Sequence, residues 1–288
     1  MTRTAFRTTS PGGLDLDSLP MRLYQKAKRL GTWDPYELDF GRDRAEWVRM
    51  GPEEQGAILQ ITSLFQAGEE SVTLDLLPLI MVVAEEGRLE EELFLTTFLF
   101  EEGKHVEFFR RFLDEVCGAR GDLHGFHTPS YRTIFYDELP AAMGALRDNR
   151  SPEAQIRAVV TYNMIVEGVL AETGYQSYFL ALERNDLMPG LREGIGYVKR
   201  DESRHIAYGV HLLSRLLADD PRLWELAEAR MAELLPYALA FIEETFAGYG
   251  PVSPFGVRLE ELSEFAQSQF QKRLDRVRRG AAHEELAL

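Results

Sequence analysis

Two Glu-x-x-His pairs, Glu102–His105 and Glu202–His205, place a carboxylate and an imidazole three residues apart. On a helix that spacing puts both groups on one face, where they can reach a single cation. Oxygen and imidazole donors suit iron and manganese as well as zinc. The chain is acidic, with 47 Asp and Glu against 32 Lys and Arg. With six histidines, two such pairs therefore arise by chance about one time in eight, treating positions as independent. Their surroundings carry more weight. Glu102 and His105 interrupt an apolar stripe of Leu95, Phe98, Leu99, Val106, Phe109, Phe112 and Leu113. Glu202 and His205 interrupt a second one, Ile195, Val198, Ile206, Leu212 and Leu213. A carboxylate on a buried face must be paired, protonated or bound to metal.

Each pair has a candidate carboxylate on the preceding helix, at a closely matching interval. In the first half Glu69 shares a face with Ile58, Phe65, Val72, Leu76 and Leu79, while Glu70 lies on a more polar face with Ser63, Gln66 and Thr73. In the second half Glu167 shares a face with Ile156, Val160, Asn163 and Leu170, and spacing leaves Glu172 open. Four helices giving one Glu each, two of them also giving His, is the layout of dinuclear carboxylate helix bundles. Asp201 either orients a histidine or is a solvated acid. Glu101 is expected to face outward with Lys104. His124, His127, His211 and His283 are expected in loops or at the surface. Glu85, Glu86, Glu90, Glu91 and Glu92 read as a solvated helix end.

The elements that must position these groups are helical throughout, with strand alternation nearly absent. Gly51-Pro52-Glu53-Glu54 starts a helix running to about Glu86 and ended by Gly87. A second helix covers 89–117, then a Gly-, His- and Pro-rich loop covers 118–131. Further helices are expected over 133–148, from Ser151-Pro152-Glu153 to Arg184, over 190–218, over 221–246 and over 259–279. The fold class is all-α: a ferritin-like four-helix bundle core at about 45–215 with additional helices, within one helical domain spanning 1–288.

The net charge of −15 and a pI near 4.9 argue against nucleic acid or an anionic membrane as the main partner. A single cysteine, Cys117, permits no internal disulfide and fits a reducing cytoplasm; it reads as a small buried apolar residue. The N-terminal MTRTAFRTTSPGGLDLDS lacks the apolar core of a signal peptide. The longest apolar run, Leu76 to Ala84, is broken by Pro78 and too short to span a bilayer, so no membrane span is expected.

Three strings resemble the ribonucleotide reductase small-subunit superfamily: Ala67-Gly68-Glu69-Glu70-Ser71-Val72-Thr73, Phe100-Glu101-Glu102-Gly103-Lys104-His105 and Lys199-Arg200-Asp201-Glu202-Ser203-Arg204-His205. The likeness selects Glu69 and Glu167 over their alternatives. Radical-generating members usually carry tyrosine four residues after the first histidine ligand. Phe109 stands there, so no stable tyrosyl radical is expected at that position. Ala281 to Leu288 show no tail of the kind that docks a reductase large subunit. Acyl carrier protein desaturases share the paired motifs but not the surrounding strings.

The resemblance is strongest to the small-subunit-like ligand-binding oxidases, through Gly68-Glu69-Glu70-Ser71-Val72 and through Tyr162 preceding Glu167. It implies a manganese–iron centre formed with molecular oxygen, a long-chain fatty acid bound at the metals, and a homodimer. Carried over by position, manganese takes Glu69, Glu102 and His105, and iron takes Glu167, Glu202 and His205; two irons would also suit these donors. An ether link would join Val72 to Tyr162. Read from the residues alone, Val72 is ordinary core. Tyr162, five residues before Glu167, is a buried phenol not squarely on the Glu167 face. Two other functions are kept open: a reductase small subunit using manganese–iron without a tyrosyl radical, and a metal-storage or structural bundle.

Overall fold

The computed structural model describes residues 5–119 and 121–281; His283 and the tail after Ala281 lie outside them. Among the described residues every regular element is helical, with one isolated bridge between Val252 and Arg258. The all-α expectation holds. Two helices precede the first one expected: α1 (Leu19–Leu30) and α2 (Gly41–Trp47). Both are short and amphipathic, and both are used to brace longer helices.

The long helices begin where the sequence places their caps. In α3 (Pro52–Glu85), Glu54 Oε2 accepts from the Gly51 amide at 2.8 Å. Gly87, at a φ of 71°, turns the chain into α4 (Leu89–Phe112). Residues Leu113–Cys117 continue α4 as a π turn. The expected 133–148 helix starts earlier and runs without a gap, changing its winding: α5 (Pro129–Arg132), a π stretch Thr133–Glu138, α6 (Leu139–Gly144) and a 3-10 turn Ala145–Arg147.

The expected 152–184 helix runs unbroken but changes its winding twice. It consists of α7 (Pro152–Val159), a π-helical stretch Val160–Ala171, and α8 (Glu172–Arg184). Ser151 Oγ accepts from the Ala154 amide at 3.3 Å, as its cap position requires. Then follow α9 (Pro189–Asp219), α10 (Leu223–Thr245) and α11 (Leu259–Ala281). The bundle core is α3, α4, the α7–π–α8 helix and α9. α1 packs on α4 and α9, while α10 and α11 cover the π stretch.

α9 is fixed at its start by α2. The buried Asp43 carboxylate accepts from the Gly190 and Leu191 amides at 3.0 and 2.7 Å. Those amides have no partner within the helix, so the acid both caps them and meets the positive helix end. Glu46 accepts from the Met188 amide at 2.6 Å and holds Met188 at a φ of 48°, in the left-handed region. Further along α9, Gly209 lets its backbone approach the π stretch. A Cβ built there would lie 2.3 Å from Asn163 Cβ. Asn163 in turn donates to Glu167 at 2.7 Å.

Gly209→Ala is therefore expected to destabilise the protein by about 1–3 kcal/mol through overpacking. Gly196→Ala, on the same helix with no atom within 4 Å of a built Cβ, is expected to be neutral or slightly stabilising. Thermal unfolding of the two chelator-treated variants distinguishes them; equal midpoints would remove the close-approach argument.

Candidate metal centre

The bundle brings Glu69 and Val72 from α3, Glu102 and His105 from α4, Tyr162 and Glu167 from the π stretch, and Glu202 and His205 from α9 to one buried place. Two sets of ligand atoms form, each within 4.8 Å of one another: Glu69, Glu102, His105 and Glu202, and then Glu102, Glu167, Glu202 and His205. Glu102 and Glu202 belong to both sets. All six ligands expected from the sequence lie in these two overlapping groups. Glu70 is exposed. Glu172 is buried but its carboxylate lies 3.8 Å from Lys199.

The two imidazoles are held differently. His205 Nε2 faces Glu101 Oε2 at 2.9 Å, so it carries the proton and donates it to that carboxylate. His205 Nδ1 is left facing Glu102 at 3.2 Å, Glu202 at 3.5 Å and Glu167 at 3.7 Å. His105 is held less closely, and neither of its ring nitrogens makes a hydrogen bond. Its Nε2 lies 3.5 Å from Asp201 Oδ2, and its Nδ1 is 3.4 to 3.6 Å from Glu69, Glu202 and Glu102. Phe98 stacks on His205 with ring centroids 3.6 Å apart. Trp33 stacks beside His105 at 6.3 Å.

A test of whether a metal pair fits is whether these buried atoms satisfy one another without it. They do not. His105 Nδ1, His205 Nδ1, Glu102 Oε2, Glu167 Oε1 and Glu202 Oε2 are fully buried and have no hydrogen-bond partner. Orphaned buried donors and acceptors are costly, and so many converging on one space fit cations. Four carboxylates also carry the charge that two divalent cations cancel. The donor set of carboxylates and imidazoles suits manganese and iron.

Several of these positions depart from expectation. Glu101 and Lys104, expected to face solvent, are buried. Glu101 accepts from Arg204 at 2.5 Å as well as from His205. Lys104 Nζ donates to Gly31 O at 2.8 Å and Asp201 at 3.2 Å. Burying α4 against α1 and α9 encloses the face that the local pattern assigns to water. Asp201 is buried rather than solvated; it lies 3.5 Å from His105 Nε2 and accepts from Trp33 Nε1 at 2.7 Å and Arg204 at 2.5 Å. Trp33, Glu101, Lys104 and Arg204 were missed by sequence reasoning. Arg204 had a weak signal, a cation between two expected ligands.

Glu90 and Glu91 are likewise buried, while Glu85 and Glu86 are exposed. Glu91 accepts from Tyr208 Oη at 3.0 Å and pairs with Arg215. Glu90 accepts from the Asp15 amide at 2.8 Å. His124 is exposed as expected, but His127 is buried between Ser63 and Tyr136, and His211 is only partly exposed. Cys117 is half-buried rather than buried.

The π stretch changes where Tyr162 points. Bonding from i to i+5 widens the turn, so residues five apart come nearly into line. Tyr162 therefore joins Glu167 on the inner face, correcting the helical-wheel expectation. Its hydroxyl donates to Val72 O at 3.2 Å and stands 3.5 Å from Glu102 Oε1. Phe109 is fully buried and stacks on Phe65.

A largely apolar cavity of about 1190 Å³ of empty space, part of it open to solvent, runs from this centre to the surface. Its inner end is made by Glu69, Val72, Glu167 and Glu202. α3, α8 and α10 form its walls.

Burial pushes the Glu69 carboxyl up to about 8, opposed in part by His105. Burial and the Glu202 charge raise Glu167 well above the carboxylate range. Burial works against the charge of both imidazoles, yet the surrounding carboxylates raise them on balance. Glu102 is held at about 2, because the two imidazoles beside it overcome its burial.

Over residues 21–281 the chain matches the family model described as ribonucleotide reductase, small chain. Among solved structures it is similar to a Tyr-to-Phe variant of an R2-like ligand-binding oxidase with aerobically reconstituted Mn/Fe cofactor. The two are 38% identical, the match covers 96% of this chain and 98% of that one, and the TM-score is 0.90. A Gly-to-Leu variant with a non-activated Mn/Mn cofactor, after aerobic reconstitution with Mn and Fe, matches at 38% identity and the same coverage, with a TM-score of 0.91.

Two outcomes follow for the centre. Without metal, Glu69, Glu167 and both histidines hold protons that the unfolded chain releases at ordinary values. Their stabilisation is complete below those values and is lost as pH rises, for Glu69 through about 8 and for Glu167 and the histidines through their own raised values. The depressed Glu102 acts oppositely, but only in strong acid, near about 2. The thermal midpoint of chelated protein is expected to fall as pH rises to about 8, and manganese(II) should remove the fall by replacing the protons; a flat profile would contradict it. Glu101→Gln should weaken metal binding about 10–100-fold by loosening His205, read by metal content after dialysis against graded chelator.

Proposed function

The chain belongs to the ribonucleotide reductase small-chain family, and from that premise we propose that it is an oxygen-activating oxidase with a dinuclear manganese–iron centre and a long-chain fatty acid ligand. Glu69, Glu102 and His105 hold manganese, Glu167, Glu202 and His205 hold iron, and Glu102 and Glu202 are placed to serve both. The observation that carries the ligand is the apolar cavity that ends at Glu69, Glu167 and Glu202. An acyl tail matches its walls, and a carboxylate head matches a pair of cations at its inner end. The solved oxidases to which the chain is similar are described as ligand-binding and carry Mn/Fe cofactor.

When bound, the two metals supply the reduction of oxygen and the removal of hydrogen from an aliphatic C–H bond. The protein's residues supply the rest. Phe98, Phe109 and the core around them exclude water. Glu101 keeps the Nε2 proton on His205 and so presents its Nδ1 inward, and Asp201 lies 3.5 Å from Nε2 of His105. Tyr162 Oη donates to the Val72 backbone oxygen at 3.2 Å, which supports an ether link to the side chain of that residue. In that step the phenol O–H and one Val72 C–H break and a C–O bond forms. The two hydrogens and two electrons go to oxygen.

A reductase small subunit without a tyrosyl radical draws on the same family membership and is equally compatible with Phe109, but the 38% identity to an R2-like ligand-binding oxidase over 96% of the chain favours the oxidase. Mixing the protein with a large subunit and assaying nucleotide reduction separates the two. The homodimer expected from the resemblance has a candidate face in Leu74, Leu77 and Met81, which are exposed along one side of α3. No described helix is long and apolar enough to cross a membrane, and a cytoplasmic location is part of the proposal.

Protein exposed to air with both metals is expected to be lighter by two hydrogens in intact mass. Its tryptic peptides containing Val72 and Tyr162 should be joined. Tyr162→Phe should restore the unmodified mass while retaining both metals. A single zinc, or no stoichiometric metal in protein purified without chelator, would sink the proposal; anomalous diffraction at the manganese and iron edges assigns the two sites.

A further inference from the structure

The cavity's direction can be read along its walls. On α3 its lining runs from Val72 back to Ala57, fifteen residues, or about 22 Å at the rise of an α-helix. On the facing helix it runs the opposite way in sequence, from Glu167 forward to Ala181. Both walls therefore lead from the metal ligands toward one outer end. The loop joining α10 to α11 supplies Tyr249, Ser253, Phe255 and Val257 to the same lining.

Two contacts place this loop at the outer end. A Cβ built on Gly56, one residue beyond Ala57, would lie 4.0 Å from Tyr249 Oη. Asn185, one turn beyond Ala181, donates to Phe255 O at 3.2 Å and to Ala181 O at 2.7 Å, tying the loop to the end of α8. The loop is also pinned within itself. The Ser253 amide donates to Val257 O at 2.8 Å and the Leu259 amide to Pro251 O at 3.0 Å. Gly250 and Gly256, both at a φ of 76°, make the turns that this path requires. Phe255 is buried, whereas Tyr249 is half-exposed.

We propose that this loop is the length gauge of the cavity: the Phe255 ring is the stop against which the end of an acyl tail rests, with Tyr249 over the mouth. The inference rests on the acyl-ligand proposal above and adds the residue that sets chain-length specificity. A pinned aromatic end wall opposite a fixed metal-bound head sets the distance between them. A tail shorter than that distance leaves apolar wall uncovered, and a longer one must displace the ring or pass Tyr249 into solvent, where added methylenes are not buried. Each methylene added up to the limit is expected to tighten binding about fourfold, and the first one beyond it to gain nothing.

The experiment is binding of saturated fatty acids of graded length to the metal-loaded protein, by calorimetry and by native mass spectrometry. Wild type should show a sharp upper limit of chain length. Phe255→Ala should move that limit to longer chains, with roughly tenfold tighter binding of an acid two methylenes past the wild-type limit. Phe255→Leu, a smaller perturbation of the fold, should move it in the same direction by less. An upper limit that is absent in wild type, or unchanged in a folded variant at position 255, overturns the gauge and leaves the acyl ligand standing. Wild type that binds no fatty acid of any length overturns the ligand and the gauge together.

Discussion

Six ionisable side chains stand in the middle of an apolar bundle, and their demand for compensation shapes most of what surrounds them. Four carboxylates and two imidazoles converge with atoms 3.2 to 3.7 Å apart and with several of those atoms unpartnered. Burial of such a group without a counter-charge costs far more than one folded domain can spare. Without metal the protein answers by holding protons on Glu69, Glu167 and both histidines. Two divalent cations replace that arrangement with direct compensation of charge. The stability of the bundle and the composition of its centre are thus linked through the same groups.

The second ring of charges answers a different need, orientation. A histidine can present either nitrogen, and only a partner on the far side of the ring decides which. Glu101 does this for His205, Asp201 lies 3.5 Å from Nε2 of His105, and each acid needs its own counter-ion. Arg204 reaches both at 2.5 Å, and Lys104 reaches Asp201. Lys104 and Arg200 then donate to backbone carbonyls at the end of α1, Gly31 and Leu30. The N-terminal segment is in this way part of the centre, although it provides no candidate ligand. α2 acts similarly at a distance, fixing the start of α9 through Asp43 and so the position of Glu202 and His205.

The winding of the 152–184 helix is the geometric counterpart of that charge network. Its π stretch brings Tyr162 into line with Glu167 and beside Val72. The close approach of α9 at Gly209 sets Asn163 against Glu167. The same helix continues as α8 to form one wall of the cavity, antiparallel to α3. One irregular helix therefore carries a candidate ligand, the phenol beside Val72 and a wall of the ligand path. An ideal α-helix through the same residues would turn Tyr162 away from the Glu167 face.

By itself, the sequence determined the helices that carry the centre and the residues that meet there. Periodicity marks buried faces, and Glu102, His105, Glu202 and His205 are conspicuous because they are polar on those faces, whereas Glu69 and Glu167 were selected over Glu70 and Glu172 by the family resemblance of the surrounding strings. The ends of α3 and α7 were legible because proline and capping side chains act locally. Only the tertiary structure decided that Glu101 and Lys104 are enclosed, that Trp33 reaches Asp201, and that Glu102 and Glu202 are shared by both groups of candidate ligands. Burial of a second helix face depends on which neighbours cover it, and those neighbours, α1 and α9, are far away in sequence. The π winding also has no periodic signature in a stretch apolar on all sides, because a helix buried all round gives no stripe from which its turn can be measured.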